Sequence, residues 1–250
     1  MSLIVGHRGA PRQRPENTLP SFELAVEEGV DAIELDVHLT ADGQLAVIHD
    51  ANLDRTTDLT GEVAQMSMDA VRAADAGYRF QTDEGAFPYR GQGLRVPTLP
   101  EVLEWLPDGL GLVVELKVDS AADATVAALR DSPVLQSGLA TVISFDERAI
   151  ERVRELDAVL PTGLLLVPSD KAERVMPWAV EHRHQGVHPW EGDLGLDPMP
   201  LIAQASAFGL RLGCYVVNDP QRMQHLAATG LWGFVTDVPD VARAALGRAG

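Results

Sequence analysis

Cysteine occurs once, at Cys214, in a chain of 250 residues. An internal disulfide is therefore excluded, and a reducing cytoplasm is the expected location. Lysine occurs twice, at Lys117 and Lys171, among 20 basic residues. Acidic residues number 37, which leaves a net charge of −17. Such a chain repels nucleic acid and draws in no phosphate-bearing ligand over distance. An anionic ligand would have to be held by local cations. No apolar run approaches the roughly 18 residues of a membrane span, so no membrane anchor is expected. The opening Met1-Ser2-Leu3-Ile4-Val5-Gly6 lacks the basic stretch and cleavage site of a secretory signal. No sequence feature specifies an oligomeric state.

What is present is a regular alternation. Strand-like segments lie at 3–7, 32–37, 45–49, 111–117, 141–145, 161–167, 186–188, 211–217 and 233–237. Helix-like segments lie at 19–28, 98–106, 121–130, 147–157, 172–182, 198–208, 220–228 and 239–247. Thr18-Leu19-Pro20 and Thr98-Leu99-Pro100 each place an N-cap threonine before a first-turn proline. Thr98 with Glu101 adds a capping box. Gly29, Gly209 and Gly230 stand where helices should stop. Alternating strands and helices imply a parallel sheet, and an α/β barrel commonly takes about 250 residues. A single domain over 1–250 is expected, a TIM (β/α)8 barrel.

Nine strands exceed the eight of such a barrel. Segments 32–37 and 45–49 are joined by the tight-turn sequence Thr40-Ala41-Asp42-Gly43. A parallel crossover needs about a dozen residues or more, so this pair should be antiparallel. The stretch 38–48 then reads as a hairpin that returns His49 to the barrel mouth. Residues 51–97 form a long connection, read as a small insertion. A short helix over 68–76 should end at Gly77. Tyr78, Phe80, Phe87 and Tyr89 read as a satellite hydrophobic core or as a lid over the substrate.

Glu34 and Asp36 are two apart on a strand and so share one face. The apolar run around them points that face into the barrel. Buried carboxylates repel unless one is protonated or a cation joins them, and their oxygens suit Mg²⁺ or Ca²⁺. Glu115 and Lys117 repeat the spacing on a later strand, either as an ion pair or as a third ligand beside a fixed charge for phosphate. His7 ends a strand, on the face where such barrels carry their active sites. Arg8 beside it can grip a phosphate in bidentate fashion. His182, His184 and His188 read as a helix end and the following strand rather than as a ligand cluster.

Eight motifs occur in order: His7-Arg8-Gly9, Pro15-Glu16-Asn17-Thr18, Glu34-Leu35-Asp36-Val37, Asp42-Gly43, His49-Asp50, Leu53-Asp54-Arg55-Thr56-Thr57, Pro97-Thr98-Leu99 and Glu115-Leu116-Lys117. This set resembles the glycerophosphodiester phosphodiesterase family over nearly the whole chain. The resemblance implies Glu34, Asp36 and Glu115 as ligands of a divalent metal, Mg²⁺ or Ca²⁺. It implies His7 and His49 as general acid and base, in either order. Arg8 and Lys117 would bind the phosphate, and Glu16 would take a further part at the site. Asn17 would support the loop or the helix start at Thr18. Toward the C-terminus Ser144-Phe145 and Thr236-Asp237 fit the family. Tyr215-Val216-Val217-Asn218 stands where the family often has Trp-Thr-Val-Asn, which places Tyr215 in the substrate pocket and bears on preference. The implied reaction is hydrolysis of a small-molecule glycerophosphodiester to glycerol 3-phosphate and an alcohol, by attack of the glycerol 2-hydroxyl and then of water.

Three rivals differ in what they need. A glycoside hydrolase needs two separated carboxyls, and Glu34 and Asp36 are too close for that. A non-catalytic phosphate-binding barrel would be favoured by a missing histidine or acid, and none is missing. A phosphodiesterase acting on lysophospholipids or phosphoinositide head groups would differ in the 51–97 insertion and at Tyr215.

Overall fold

A computed structural model describes residues 2–168 and 170–248. Among these residues nine strands form one sheet: β1 Leu3–His7, β2 Ala32–Leu39, β3 Leu45–Val47, β4 Gly111–Leu116, β5 Ala140–Ser144, β6 Thr162–Leu165, β7 Gly186–His188, β8 Arg211–Cys214 and β9 Gly233–Thr236. Eight of them are parallel to their neighbours, and β1 pairs with both β9 and β2, which closes a TIM barrel. β3 is the antiparallel exception, pairing Val37 with Val47 and Leu39 with Leu45. The hairpin reading of 38–48 therefore holds.

Strand alternation divides the core in two. Ile4, Ile33, Leu35, Leu112, Val114, Val142 and Phe234 face the helix layer. Val5, Ala32, Val113, Ile143 and Leu165 fill the barrel interior. Further along the same interior rows come His7, Glu34, Asp36, Glu115 and Lys117. The register staggers them, with His7 beside Glu34 and Asp36 beside Glu115. A period of two thus fills the barrel floor with apolar side chains and its mouth with ionisable ones.

The helices match their expected segments to within a residue or two at the ends. The capping box at Thr98 and Glu101 forms as expected. Thr18 makes no side-chain cap bond to its helix, and its hydroxyl donates to the Pro15 carbonyl at 2.6 Å. The insertion helix is only Met68–Arg72, and Gly77 does not end it. Gly77 is small for another reason: a Cβ there would come within 2.5 Å of the Tyr89 Cβ.

A satellite core does form under the insertion, but from aliphatic groups such as Ile48, Leu53, Val63, Met68 and Val96. The aromatic side chains lie outside it. Arg90 stacks over Tyr78 and Phe87, and Phe80 meets Tyr89 edge to face at 5.5 Å.

Of the three later histidines, His182 and His184 both stack on Trp178, with ring centroids 4.9 Å from it. His182 pairs with Glu151, and His184 meets the Thr162 hydroxyl at 2.8 Å. His188 fills space inside the barrel left by Gly163, Gly186 and Gly213.

Candidate active site

Glu34, Asp36 and Glu115 are buried, and each offers a carboxylate oxygen within 4.8 Å of the others. Among the described residues they alone form such a group. Burial pushes Glu34 well above the usual carboxylate range, and repulsion from Asp36 and Glu115 adds to it. Glu115 is pushed up to about 7 by burial and by Asp36, against the pull of Lys117. Burial would also raise Asp36, but Arg8, Lys117 and His49 outweigh it and hold Asp36 below its ordinary value.

Asp36 is the best anchored of the three. Arg8 Nε lies 3.1 Å from its Oδ2 and Lys117 Nζ lies 3.4 Å from its Oδ1. Asn17 holds the same residue twice. Its Nδ2 donates to Asp36 Oδ2 at 2.8 Å, and its Oδ1 accepts the Asp36 backbone N–H at 3.3 Å. The sheet explains this contact. β1 and β3 share one edge of β2, β1 ending opposite Glu34 and the antiparallel β3 ending opposite Val37. Asp36 falls in the gap, and Asn17 takes the place of the missing strand. Its left-handed backbone, φ 55°, turns the side chain inward. Asn17→Gly keeps that backbone free of strain while deleting the amide. It is expected to cost about 1–3 kcal/mol in urea unfolding, the cost of stranding buried polar groups; an unchanged midpoint would refute the clamp.

Both histidines are oriented through Nδ1 by a carboxylate. His7 Nδ1 is 2.6 Å from Asp237 Oδ1, and His49 Nδ1 is 2.7 Å from Asp50 Oδ1. A carboxylate there favours a proton on Nδ1 and leaves Nε2 for chemistry. Each carboxylate is itself held. Asn218 donates to Asp237 Oδ2 at 2.7 Å. Arg55 Nε donates to Asp50 Oδ2 at 2.7 Å. Although burial acts to raise Asp50, Arg55 and His49 bring it down to about 2. His49 lies below the usual imidazole range, chiefly through burial, with Asp36 opposing and Arg8 reinforcing the shift.

The chain as a whole matches a known family. The profile described as the glycerophosphoryl diester phosphodiesterase family matches residues 7–241. The chain belongs to this family. It is therefore a phosphodiesterase, a hydrolase. A glycerophosphodiester phosphodiesterase of Caldanaerobacter subterraneus subsp. tengcongensis is 30% identical over 247 residues, covering 96% of this chain and 95% of the relative. The crystal structure of a glycerophosphodiester phosphodiesterase from Agrobacterium tumefaciens superposes with a TM-score of 0.79 at 30% identity, over 98% of this chain and 100% of that one. A phosphodiesterase of Oleispira antarctica, solved in complex with the product sn-glycerol-3-phosphate, gives 0.81 at 26% identity, over 99% and 97%.

In this phosphodiesterase the remaining expected residues lie as follows. Glu16 is not a free group: Arg8 reaches its Oε1 at 2.9 Å and Arg55 grips both its oxygens at 2.7 Å. Lys117 is hydrogen-bonded to Glu115 Oε1. Tyr215 follows β8 at the mouth, donates its hydroxyl to the Leu166 carbonyl and meets Phe145 edge to face at 5.7 Å. Sequence reasoning assigned no role to Asp237, Asn218 or Arg55. A signal for Asp237 existed, because β9 neighbours β1 in any closed barrel and Asp237 follows β9 as His7 ends β1.

Proposed function

We propose that this phosphodiesterase hydrolyses glycerophosphodiesters to glycerol 3-phosphate and an alcohol, with His7 and His49 as the proton-transfer pair and with a divalent metal, Mg²⁺ or Ca²⁺. The observation that carries the reading is the pairing of two carboxylate-oriented imidazoles with a three-acid cluster and two cations at one barrel mouth.

The donor set fits a hard cation. Three carboxylates are buried together, and Asp36 Oδ1 is buried without a hydrogen-bond donor. Glu34, Asp36 and Glu115 would hold the metal. When bound, it supplies positive charge to the phosphate oxygens and lowers the barrier to attack at phosphorus.

The side chains supply the rest. One imidazole Nε2 accepts the proton of the glycerol 2-hydroxyl as its oxygen bonds to phosphorus. The other imidazole gives a proton to the alcohol oxygen as the P–O bond to it breaks. The resulting cyclic phosphate is opened by water with the two proton roles reversed. Arg8 and Lys117, each with 15% of its side chain exposed, can turn from their acid partners toward the phosphate. Asp237 and Asp50 hold the two rings in the working tautomer.

A product assay tests this. Glycerophosphocholine, glycerophosphoethanolamine and glycerophosphoglycerol are each expected to yield glycerol 3-phosphate with added Mg²⁺ or Ca²⁺. Release of the free alcohol's phosphate instead, or turnover of none of the three, would overturn the reading.

A further inference from the structure

Arg55 belongs to the insertion but turns its guanidinium toward two carboxylates of the active site. Its Nη1 and Nη2 each donate to one oxygen of Glu16 at 2.7 Å. Its Nε donates to Asp50 Oδ2 at 2.7 Å, and Nη2 also reaches Asp50 Oδ1 at 3.2 Å. Four of the five N–H groups of a guanidinium are thus engaged, so Arg55 is not free to grip a phosphate. Half-exposed ion pairs add little to stability, and the Arg55 side chain is 46% exposed. A fork of four bonds there calls for a reason other than holding the fold together.

The two carboxylates supply one. Asp50 Oδ1 orients His49 through Nδ1, and Glu16 Oε1 holds Arg8. An unbroken line of hydrogen bonds therefore runs from Arg8 through Glu16, Arg55 and Asp50 to His49. Glu16 is the shared point, because two arginines face one carboxylate whose side chain is only 18% exposed. Arg8 can turn to a phosphate and leave Glu16 still gripped on both oxygens by Arg55. Without Arg55, the same turn would strand a mostly buried negative charge.

The insertion holds this fork in place. Leu53 is fully buried in the satellite core. The Thr57 N–H and hydroxyl both donate to the Leu53 carbonyl, at 3.1 and 2.9 Å, and close the turn that carries Arg55. Arg79, further along the insertion, donates from Nε to the Thr57 carbonyl at 3.1 Å.

We propose that Arg55 is a positioning residue with two tasks, and that the insertion serves to place it: Arg55 frees Arg8 for the phosphate and fixes Asp50 behind His49. The proposal rests on the roles given to Arg8 and His49 in the function proposed above. Each task has its own kinetic signature. Loss of the Asp50 contact lowers kcat, because the His49 ring is no longer held. Loss of the Glu16 contact raises KM, because Arg8 stays with Glu16.

The test is steady-state kinetics on glycerophosphocholine with Mg²⁺, for wild type, Arg55→Gln, Arg55→Lys and Arg55→Gln combined with Glu16→Gln. Arg55→Gln is expected to lower kcat by roughly 10–100-fold, the usual effect of losing a contact that orients a site residue, and to raise KM. Arg55→Lys is expected to resemble it, since one ammonium cannot fork between two carboxylates. Adding Glu16→Gln should bring KM back toward wild type while kcat stays low, because a neutral partner releases Arg8. A general loosening of the insertion would lower kcat and raise KM with no such recovery. Near-normal kcat in Arg55→Gln, full rescue by lysine, or a KM that stays high in the combined variant would each overturn this inference alone. So would loss of the fold on Arg55→Gln by circular dichroism, which would make Arg55 a structural residue. Wild-type protein that turns over no diester would overturn the proposed function itself.

Discussion

His7→Ala and His49→Ala are each expected to lower kcat/KM toward glycerophosphocholine by about 10²–10⁴-fold, the usual contribution of a positioned acid or base. Each imidazole has one Nδ1 partner and an otherwise open Nε2, so truncation removes chemistry with little packing. Both side chains are partly exposed, at 20% and 31%, and the fold is expected to survive. The double variant sharpens the test. If the two rings serve the same proton-transfer step, losing the second costs far less than losing the first, because acid and base act as a unit. Steady-state kinetics on both single variants and the double variant, with circular dichroism to confirm folding, decide the matter. A single variant that retains near-normal turnover, or losses that multiply fully, would contradict a shared step.

Chelation is the second large effect: it should abolish turnover, and Mg²⁺ or Ca²⁺ should restore it. An independent readout is stability. A ligand that binds only the folded state at 100 times its dissociation constant adds about 2.7 kcal/mol. That increment should grow between pH 5 and pH 8, for a reason set by the acid cluster. Glu115 moves from 4.5 in the unfolded chain to about 7 in the metal-free fold. A raised carboxyl stabilises the fold below its unfolded value, and that stability is lost as pH rises through about 7. At about 1.36 kcal/mol per pKa unit the loss reaches roughly 3 kcal/mol. Glu34 is raised and acts in the same sense. Bound metal favours the deprotonated acids and removes the loss. The buried His184 and His188, both pushed down to about 4, gain stability with rising pH, but alike with and without metal. They cancel in the difference. Urea midpoints with and without Mg²⁺ across this range test the argument, and a pH-independent increment would rule it out.

The sequence made the barrel legible because two simple periods run through it. Period-two segments ended in ionisable residues, and caps and glycines marked the helices between them. The excess strand was resolved by the short Thr40–Gly43 turn, which leaves no room for a parallel crossover. What escaped was whatever depends on side chains meeting across the closed sheet. Asn17 read as support for the loop or the helix start, yet its contact with Asp36 follows from a gap between β1 and β3 that exists only once both have paired with β2. Arg55 sat in a recognised motif, but its double grip on Glu16 and Asp50 needs the insertion folded back over the mouth. The aromatic cluster misled for a local reason: arginines stack on those rings, so composition alone made them look like core.

The hydrogen bond between His7 and Asp237 spans 230 positions and joins the first strand to the last. Its consequence concerns the timing of synthesis. His49 receives its partner with the next residue, but His7 stays unoriented until nearly the entire chain has left the ribosome and β9 has docked. A nascent chain can assemble the acid cluster from β2 and β4 much earlier. On the proposed roles of His7 and His49, proton transfer is thus the last competence the molecule acquires, and barrel closure is the event that switches it on.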